Sequence, residues 1–460
     1  VFVLFSTFAF MERVSFKEIY RLAIPAILFN VVEPIIGMTD MAIIGRVTEN
    51  ATEAQGGVGL AAGLISLLVW SLGQLRTAVS AITSQFLGRG KIEQIRSLIP
   101  VALFASIFLG IAAWLLTAYF YLPISSFLYA KSNAVIVQQA NIYYCIRAIG
   151  LPLSLFIACA FGIFRGLQDT SWAMIISLIG GTLNLILDLI LVNGIGSIPA
   201  YGVAGAAWAS VISQLLMTAL CIFFIQKRTP FSLFYFRKKI HELKNMLVIF
   251  LNMFIRTIAV SGTFIIALRF ANNYEELKEG SLAAYAIGIN IWLFSSYFID
   301  GFSNAGNAIA GKLLGEGSFK KLVRLRNDLL KINGMIGLGL ALTYLASYLV
   351  IGDLFTEDLN VKTIFYSFFW IIIIMQPFNS IAFSYDGIFK GLGEAKALRN
   401  SLLLGTFGIF LPLLIGLNQF HPNLFSIWGA FAGWMLFRGL SLHLIFNRKY
   451  SLNNTQVNKK

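Results

Sequence analysis

Charge is what this sequence has least of. Only 12% of its 460 residues are Asp, Glu, Lys or Arg, against about a quarter in an average soluble domain. Cysteine and histidine are also scarce, at three each. Cys145, Cys159 and Cys221 all fall inside apolar runs without CxxC or metal-ligand spacing, which excludes a disulfide framework or a zinc site. His241, His421 and His443 form no HExxH or similar cluster, which removes the usual basis for a membrane-embedded enzyme. The net charge of +14 is carried by short Lys and Arg clusters between apolar runs, not along one soluble face, so nucleic acid is not the expected partner.

What is abundant is hydrocarbon. Hydrophobic residues make up 58% of the chain and the mean hydropathy is +0.78. They come in runs of about 18 to 28, each long enough as a helix to cross about 30 Å of bilayer core. A soluble enzyme, a secreted scaffold and a disordered chain are thereby excluded, and the fold class is an all-α polytopic membrane protein. Spans are expected near 19–46, 57–86, 98–121, 140–166, 171–193 and 202–225, then near 244–271, 283–312, 327–351, 360–388, 400–417 and 425–446. The stretch Val1–Phe10 is too short to span and lacks a basic flank, so it does not read as a signal peptide, and Met11 reads as the natural start.

With both termini in the cytoplasm, the inner connections hold Arg89, Lys91 and Arg96, then Lys227, Arg228, Arg237, Lys238, Lys239 and Lys244, then Lys320, Lys321, Arg324 and Arg326, then Lys390, Lys396 and Arg399. The outer connections hold only Lys131, Lys278 and Lys362 together with acids such as Glu275, Glu276, Glu279, Asp353, Glu357 and Asp358. This asymmetry obeys the positive-inside rule for an even number of spans.

The chain is also duplicated. Gly162-Ile-Phe-Arg-Gly-Leu167 returns as Gly387-Ile-Phe-Lys-Gly-Leu392, an offset of 225 shared by Pro152 and Pro377. Leu87-Gly-Arg-Gly90 returns as Leu314-Gly-Glu-Gly317 at an offset of 227, as does Gly202 at Gly429. Two six-helix bundles are expected, residues 11–225 and 244–450, joined by a cytoplasmic linker over 226–243. Six being even, a pseudo-two-fold axis along the membrane normal should relate them, with a substrate cleft between.

Polar residues inside spans are expensive and are candidates for function. In the first span Asn30, Glu33, Gly37 and Asp40 are spaced for one helical face; in the fifth, Ser177, Gly181, Asn184 and Asp188 are. Two carboxylates and an amide in a low-dielectric pocket suit a proton or a small hard cation such as sodium. At an offset of 225 the partners of Asp40, Asn184 and Asp188 are Ile265, Ile409 and Leu413, so the acids belong to one half only. Glu33 is open between a gating role and neutralisation by Arg76. Arg256 and Asp300 stand at matching distances from the loop near 277, expected as a buried ion pair, with substrate contact the alternative. Asn304, Asn307, Gln376 and Asn379 would line the second half. Pro25, Pro34, Pro152 and Pro377 lie within spans, where a missing backbone bond permits a kink. Pro25 and Pro34 flank the acidic face of the first span.

The pattern Leu22-Ala-Ile-Pro25 with Asp40-Met-Ala-Ile-Ile-Gly45, Gly162-Ile-Phe-Arg-Gly-Leu-Gln-Asp169, Asn184-Leu-Ile-Leu-Asp188 and Gly202-Val-Ala-Gly-Ala-Ala-Trp-Ala-Ser210 resembles the multidrug and toxic compound extrusion (MATE) family over about residues 11 to 450. The acid pair in the first half resembles its DinF branch. The resemblance implies a V-shaped pair of six-helix bundles exporting cationic or amphiphilic organic compounds in exchange for inward protons, the favoured ion, or sodium. It implies an ion site of Asp40, Asn184, Asp188 and a sixth-span hydroxyl, which falls on Ser210 where many relatives have Thr, and a first helix that bends near Pro25. No cofactor, a monomeric state and a bacterial inner-membrane location are expected. The rivals are a flippase for lipid-linked precursors, which should show a strongly cationic cleft and extra spans, and a channel.

Overall fold

In hydrocarbon no water is available to the backbone, so each apolar run must satisfy its own N–H and C=O groups, and helices do this. The computed structural model describes residues 14–46, 51–120, 123–125, 133–237 and 240–450. The readings made on Val1–Phe10, Met11, Lys131, Lys238 and Lys239, and on the side chain of Glu33, lie outside the described residues.

Among the described residues, twelve helices are long and apolar enough to span a membrane: α1 Phe16–Ile44, α2 Ala51–Gly88, α3 Ile92–Tyr119, α4 Ala134–Gly166, α5 Ser171–Asn193 and α6 Gly202–Arg228, then α7 Leu243–Leu277, α8 Ser281–Gly315, α9 Phe319–Ala346, α10 Leu359–Gly391, α11 Ala395–Phe420 and α12 Leu424–Tyr450. The largest departure from expectation is α9, which starts at Phe319 and takes Lys320, Lys321, Arg324 and Arg326 into its first turns. Lys and Arg are good helix formers whose stems lie along apolar surface while the charge reaches water, so a basic run at a membrane edge extends a helix without ending it. α1 continues as helix through Pro25 and Pro34, and α10 through Pro377. α4 passes through a tight 3₁₀ turn at Ala148–Gly150 just before Pro152, and α11 through a π turn at Thr406–Phe410.

The chain divides into two compact units, called here the first and second lobes. The first comprises Leu28–Phe86 and Gly90–Phe250, and the second comprises the described part of Val1–Ile27 with Leu87–Arg89 and Leu251–Lys460. α1 therefore changes lobe between Ile27 and Leu28. The first lobe has a core of small and β-branched side chains with two tyrosines, among them Ala61, Ala140, Tyr143, Tyr144, Ala206 and Ala207. The second is aromatic, built on Phe365, Phe368, Phe369, Trp428, Phe431 and Trp434. The Phe368 ring stacks on Trp428 at 5.5 Å.

Lipid tails are as apolar as leucine, so helices associate in membranes through close packing at small residues. The repeated glycines are those contacts. A Cβ at Gly162 would fall on the backbone of Arg76, and one at Gly166 would meet Ser80 and Thr83, fixing α4 against α2. In the second lobe Gly387 meets Ser303 and Gly391 meets Asn307 in the same way, fixing α10 against α8. Gly110 of α3 rests on Pro152, and Gly337 of α9 rests on the backbone at Gln376 and Pro377. The duplication read from spacing is thus a repeated set of helix crossings. Gly391→Ala should drive a methyl into the Asn307 carbonyl and cost about 1 to 3 kcal/mol, whereas Gly334→Ala, with nothing within 4 Å of its Cβ, should leave the melting temperature in detergent unchanged or raised.

Candidate functional site

Helix α5 turns one whole face inward. Ser177, Gly181, Asn184 and Asp188, spaced 4, 3 and 4, are all buried, Asp188 completely so. The α1 face behaves differently: Asp40 is buried, Asn30 and Pro25 are half-buried, and Gly37 is exposed with nothing within 4 Å of its Cβ position. What joins the helices is Gly181, whose missing side chain leaves room for Ile36 and Val32 of α1, with Ile36 Cδ1 2.9 Å from where a Cβ would stand. One turn beyond Ile36 is Asp40; three and seven residues beyond Gly181 are Asn184 and Asp188. The two aspartates are brought carboxyl to carboxyl, in hydrogen-bonding position to each other. Such a bond exists only while one of them holds a proton.

Among the described residues no donor bonds to either oxygen of Asp188. Asp40 Oδ1, both oxygens of Asp188, both amide atoms of Asn184 and the hydroxyls of Ser177 and Ser213 are buried without a hydrogen-bond partner among the described residues. Each such group costs free energy unless something supplies its missing bond. Tyr143 of α4 faces both acids and is hydrogen-bonded to Ser210 of α6, which places Ser210 at the edge of the cluster. One turn further along α4, Arg147 acts on Asp40 electrostatically while its Nη1 donates to Gln214 Oε1 at 3.1 Å. Asp40, Ser177, Asn184, Asp188 and Ser210 are therefore brought together; Asn30, Gly37 and Pro25 are not part of the contact. Tyr143 left no signal in the sequence, because a tyrosine in a span is commonplace.

In the second lobe the close ion pair of Arg256 is with Asp386, where Asp300 was expected. Arg256 Nη2 donates to Asp386 Oδ2, and the same oxygen accepts from Arg438 Nη2 at 2.7 Å. Asp300 accepts from Asn304 Nδ2 at 3.1 Å. Counting residues from a shared loop fixes depth on two antiparallel helices but not the direction in which each side chain points, and Arg256 points to α10 and α12. Arg438 also lies 4.7 Å above the ring of Trp434. Asp386 and Arg438 escaped notice although both are ionisable groups inside apolar runs, and Asp386 immediately precedes the repeated glycine of α10. The second half is thus without acids at the positions equivalent to Asp40 and Asp188, but not without a buried acid. Among its amides, Asn333 Nδ2 donates to Ser384 Oγ at 2.7 Å and Asn379 Nδ2 to Gln376 Oε1 at 3.5 Å, whereas both amide atoms of Asn307 are buried without a hydrogen-bond partner among the described residues.

The MatE family model matches residues 25–190 and 253–414, one copy in each half of the duplicated chain. The chain belongs to the MatE family. Among its relatives are the DNA damage-inducible protein F of Escherichia coli, 26% identical with 95% of this chain and 93% of that protein covered, and a probable multidrug resistance protein NorM of Thermotoga maritima, 26% identical with 94% and 91% covered. The plant Protein DETOXIFICATION 43 of Arabidopsis thaliana is 29% identical over 68% of this chain. The chain spans only 57% and 59% of the length of DETOXIFICATION 43 and 42. The fold is that of a solved MATE in its bent conformation, with a TM-score of 0.85 at 20% identity and 96% of each chain covered. It is likewise that of an outward-facing multidrug resistance MATE transporter, with a TM-score of 0.83 at 19% identity. The MatE family and these structural neighbours are transporters, not enzymes.

The two buried charge centres differ in what removing an acid should do. Asp386→Asn leaves two buried guanidiniums without a counter-charge and should cost about 3 to 5 kcal/mol. Asp188→Asn removes an acid that has no protein donor and should be neutral or stabilising. Thermal unfolding of the purified variants in one detergent measures both.

Proposed function

We propose that this MatE protein is a secondary active antiporter, exporting cationic or amphiphilic organic compounds in exchange for an inward cation bound at Asp40 and Asp188. The observation that carries the reading is the buried acid pair with no protein donor. A structural pair would be bonded permanently, as Asp386 is; this one is complete only with an added positive charge.

Of the two candidate ions the proton is favoured. It needs only two oxygens in hydrogen-bonding position, and the two carboxyls already have that relation. Sodium would need further oxygens, for which Asn184, Ser177 and Ser210 are the available neighbours. In the proposed cycle the ion enters from outside, occupies the pair, changes the packing of α1 along Gly181 and displaces substrate, by alternating access. Pro25 and Pro34 are the points where α1 bends at least cost. One charge moving inward supplies about 2.3 kcal/mol per 100 mV, and one pH unit about 1.4 kcal/mol for a proton. Their sum supports a several-hundredfold substrate gradient. The location proposed with this reading is a bacterial inner membrane, both termini cytoplasmic, with no cofactor and a monomer as the working unit.

The test is efflux of ethidium from proteoliposomes under proton and sodium gradients imposed separately. A proton gradient should drive transport in the wild type, and Asp40→Asn and Asp188→Asn should lower the driven rate at least tenfold while melting no lower than the wild type. Driven transport at the wild-type rate in either variant removes the coupling role.

A further inference from the structure

We propose that Arg256, Asp386 and Arg438 form an anion-binding centre in the second lobe, built to take the carboxylate or sulfonate group of an organic acid. The argument is a count of charges and donors. All three residues are buried, at 8, 3 and 5% exposure, and they sum to one excess positive charge. Lys390, one turn along α10, also acts on Asp386 electrostatically. Two guanidiniums present ten N–H donors. Both donate to a single oxygen, Asp386 Oδ2, and Arg438 Nη1 lies 3.1 Å from the thioether of Met435, a weak acceptor. Among the described residues, Arg256 Nε is buried with no acceptor. A buried unpaired cation costs several kcal/mol, and the group that removes this cost is one that brings a negative charge and two oxygens, matching the planar fork of an arginine.

Asp386 itself shows the geometry that the centre accepts: a carboxylate oxygen held by two guanidiniums on different helices, α7 and α12. A ligand acid would either sit beside it on the unused donors or take its place. This goes beyond the coupling reading of the first lobe and does not depend on it, because binding is measured without any gradient.

The experiment uses the purified full chain in nanodiscs of zwitterionic lipid at constant ionic strength, titrated with benzoate, with benzenesulfonate and with benzylammonium. Melting temperature and tryptophan fluorescence report occupancy, Trp434 lying directly beneath Arg438. Both acids should give a saturable response and benzylammonium none. Arg256→Gln and Arg438→Lys, which remove a fork while disturbing packing little, should weaken the acids at least tenfold. Asp386→Asn should bind them more tightly than the wild type, and if it is too unstable to titrate, benzoate should restore its melting temperature where benzylammonium does not. Repeating the titration with phosphatidylglycerol in the discs distinguishes a lipid phosphate from a free acid: competition would assign the occupant to lipid and still support the centre. The absence of a saturable acid response in the wild type, or a response unchanged in both arginine variants, overturns the proposal.

Discussion

Everything in this molecule is built around the cost of leaving a polar group unsatisfied in hydrocarbon. Helices remove that cost for the backbone, and side-chain hydroxyls remove it by bonding back to their own helix, as Thr257, Thr263 and Ser295 do. Asp40 and Asp188 are the acids among the exceptions. Their oxygens are buried against one another on α1 and α5, and no arginine fork or amide of the lobe bonds to Asp188. Such a pair persists only if its missing charge arrives from elsewhere. On the proposed reading, its incompleteness is the property that makes it exchangeable.

The scaffold that holds these groups is indifferent to their charge. Gly162 and Gly166 press α4 onto α2, and Gly387 and Gly391 press α10 onto α8, at equivalent backbone positions. Because those contacts involve backbone atoms of α2, α4, α8 and α10, side chains on the other helices were free to diverge. The first half carries acids where the second carries Ile265, Ile409 and Leu413, and the second carries an aromatic core built on Phe365, Phe368, Phe369, Trp428, Phe431 and Trp434. A packing rule shared by both halves thus supports opposite electrostatics in each.

Legibility in the sequence follows the same division. Spans and duplication could be read because hydropathy and small-residue spacing act locally and survive divergence. The cluster of Asp40, Asn184 and Asp188 could be read because helical spacing put the inward face of α5 in one register, and the family resemblance matched it to α1. What could not be read was azimuth. Arg256 and Asp300 share a depth, yet Arg256 faces Asp386, and nothing in linear order reveals which neighbour a helix face meets. The stripe on α1 shows a related limit: spacing put Gly37 on the face of Asp40, yet Asp40 is buried and Gly37 exposed. The early start of α9 was lost because a window on hydropathy cannot see a helix that continues into a basic interface.

A comparison of the two charge centres shows why one half cannot stand for the other. Arg256 and Arg438 give Asp386 a permanent double partner, and a carboxylate so held gains nothing from a proton and loses two ion pairs by accepting one. Asp188 has no such partner to lose. Adding a fixed cation beside Asp188 would satisfy its oxygens and remove the reason for any ion to enter. Removing an arginine from Asp386 would lower the excess charge of that centre. In the proposed cycle the acid pair works only while it lacks a fixed partner, and in the proposed anion centre the arginines have a donor to spare because their acid is outnumbered. The duplicated fold therefore holds a deficit of positive charge in one lobe and an excess in the other, each produced by side chains on the same framework of helix crossings.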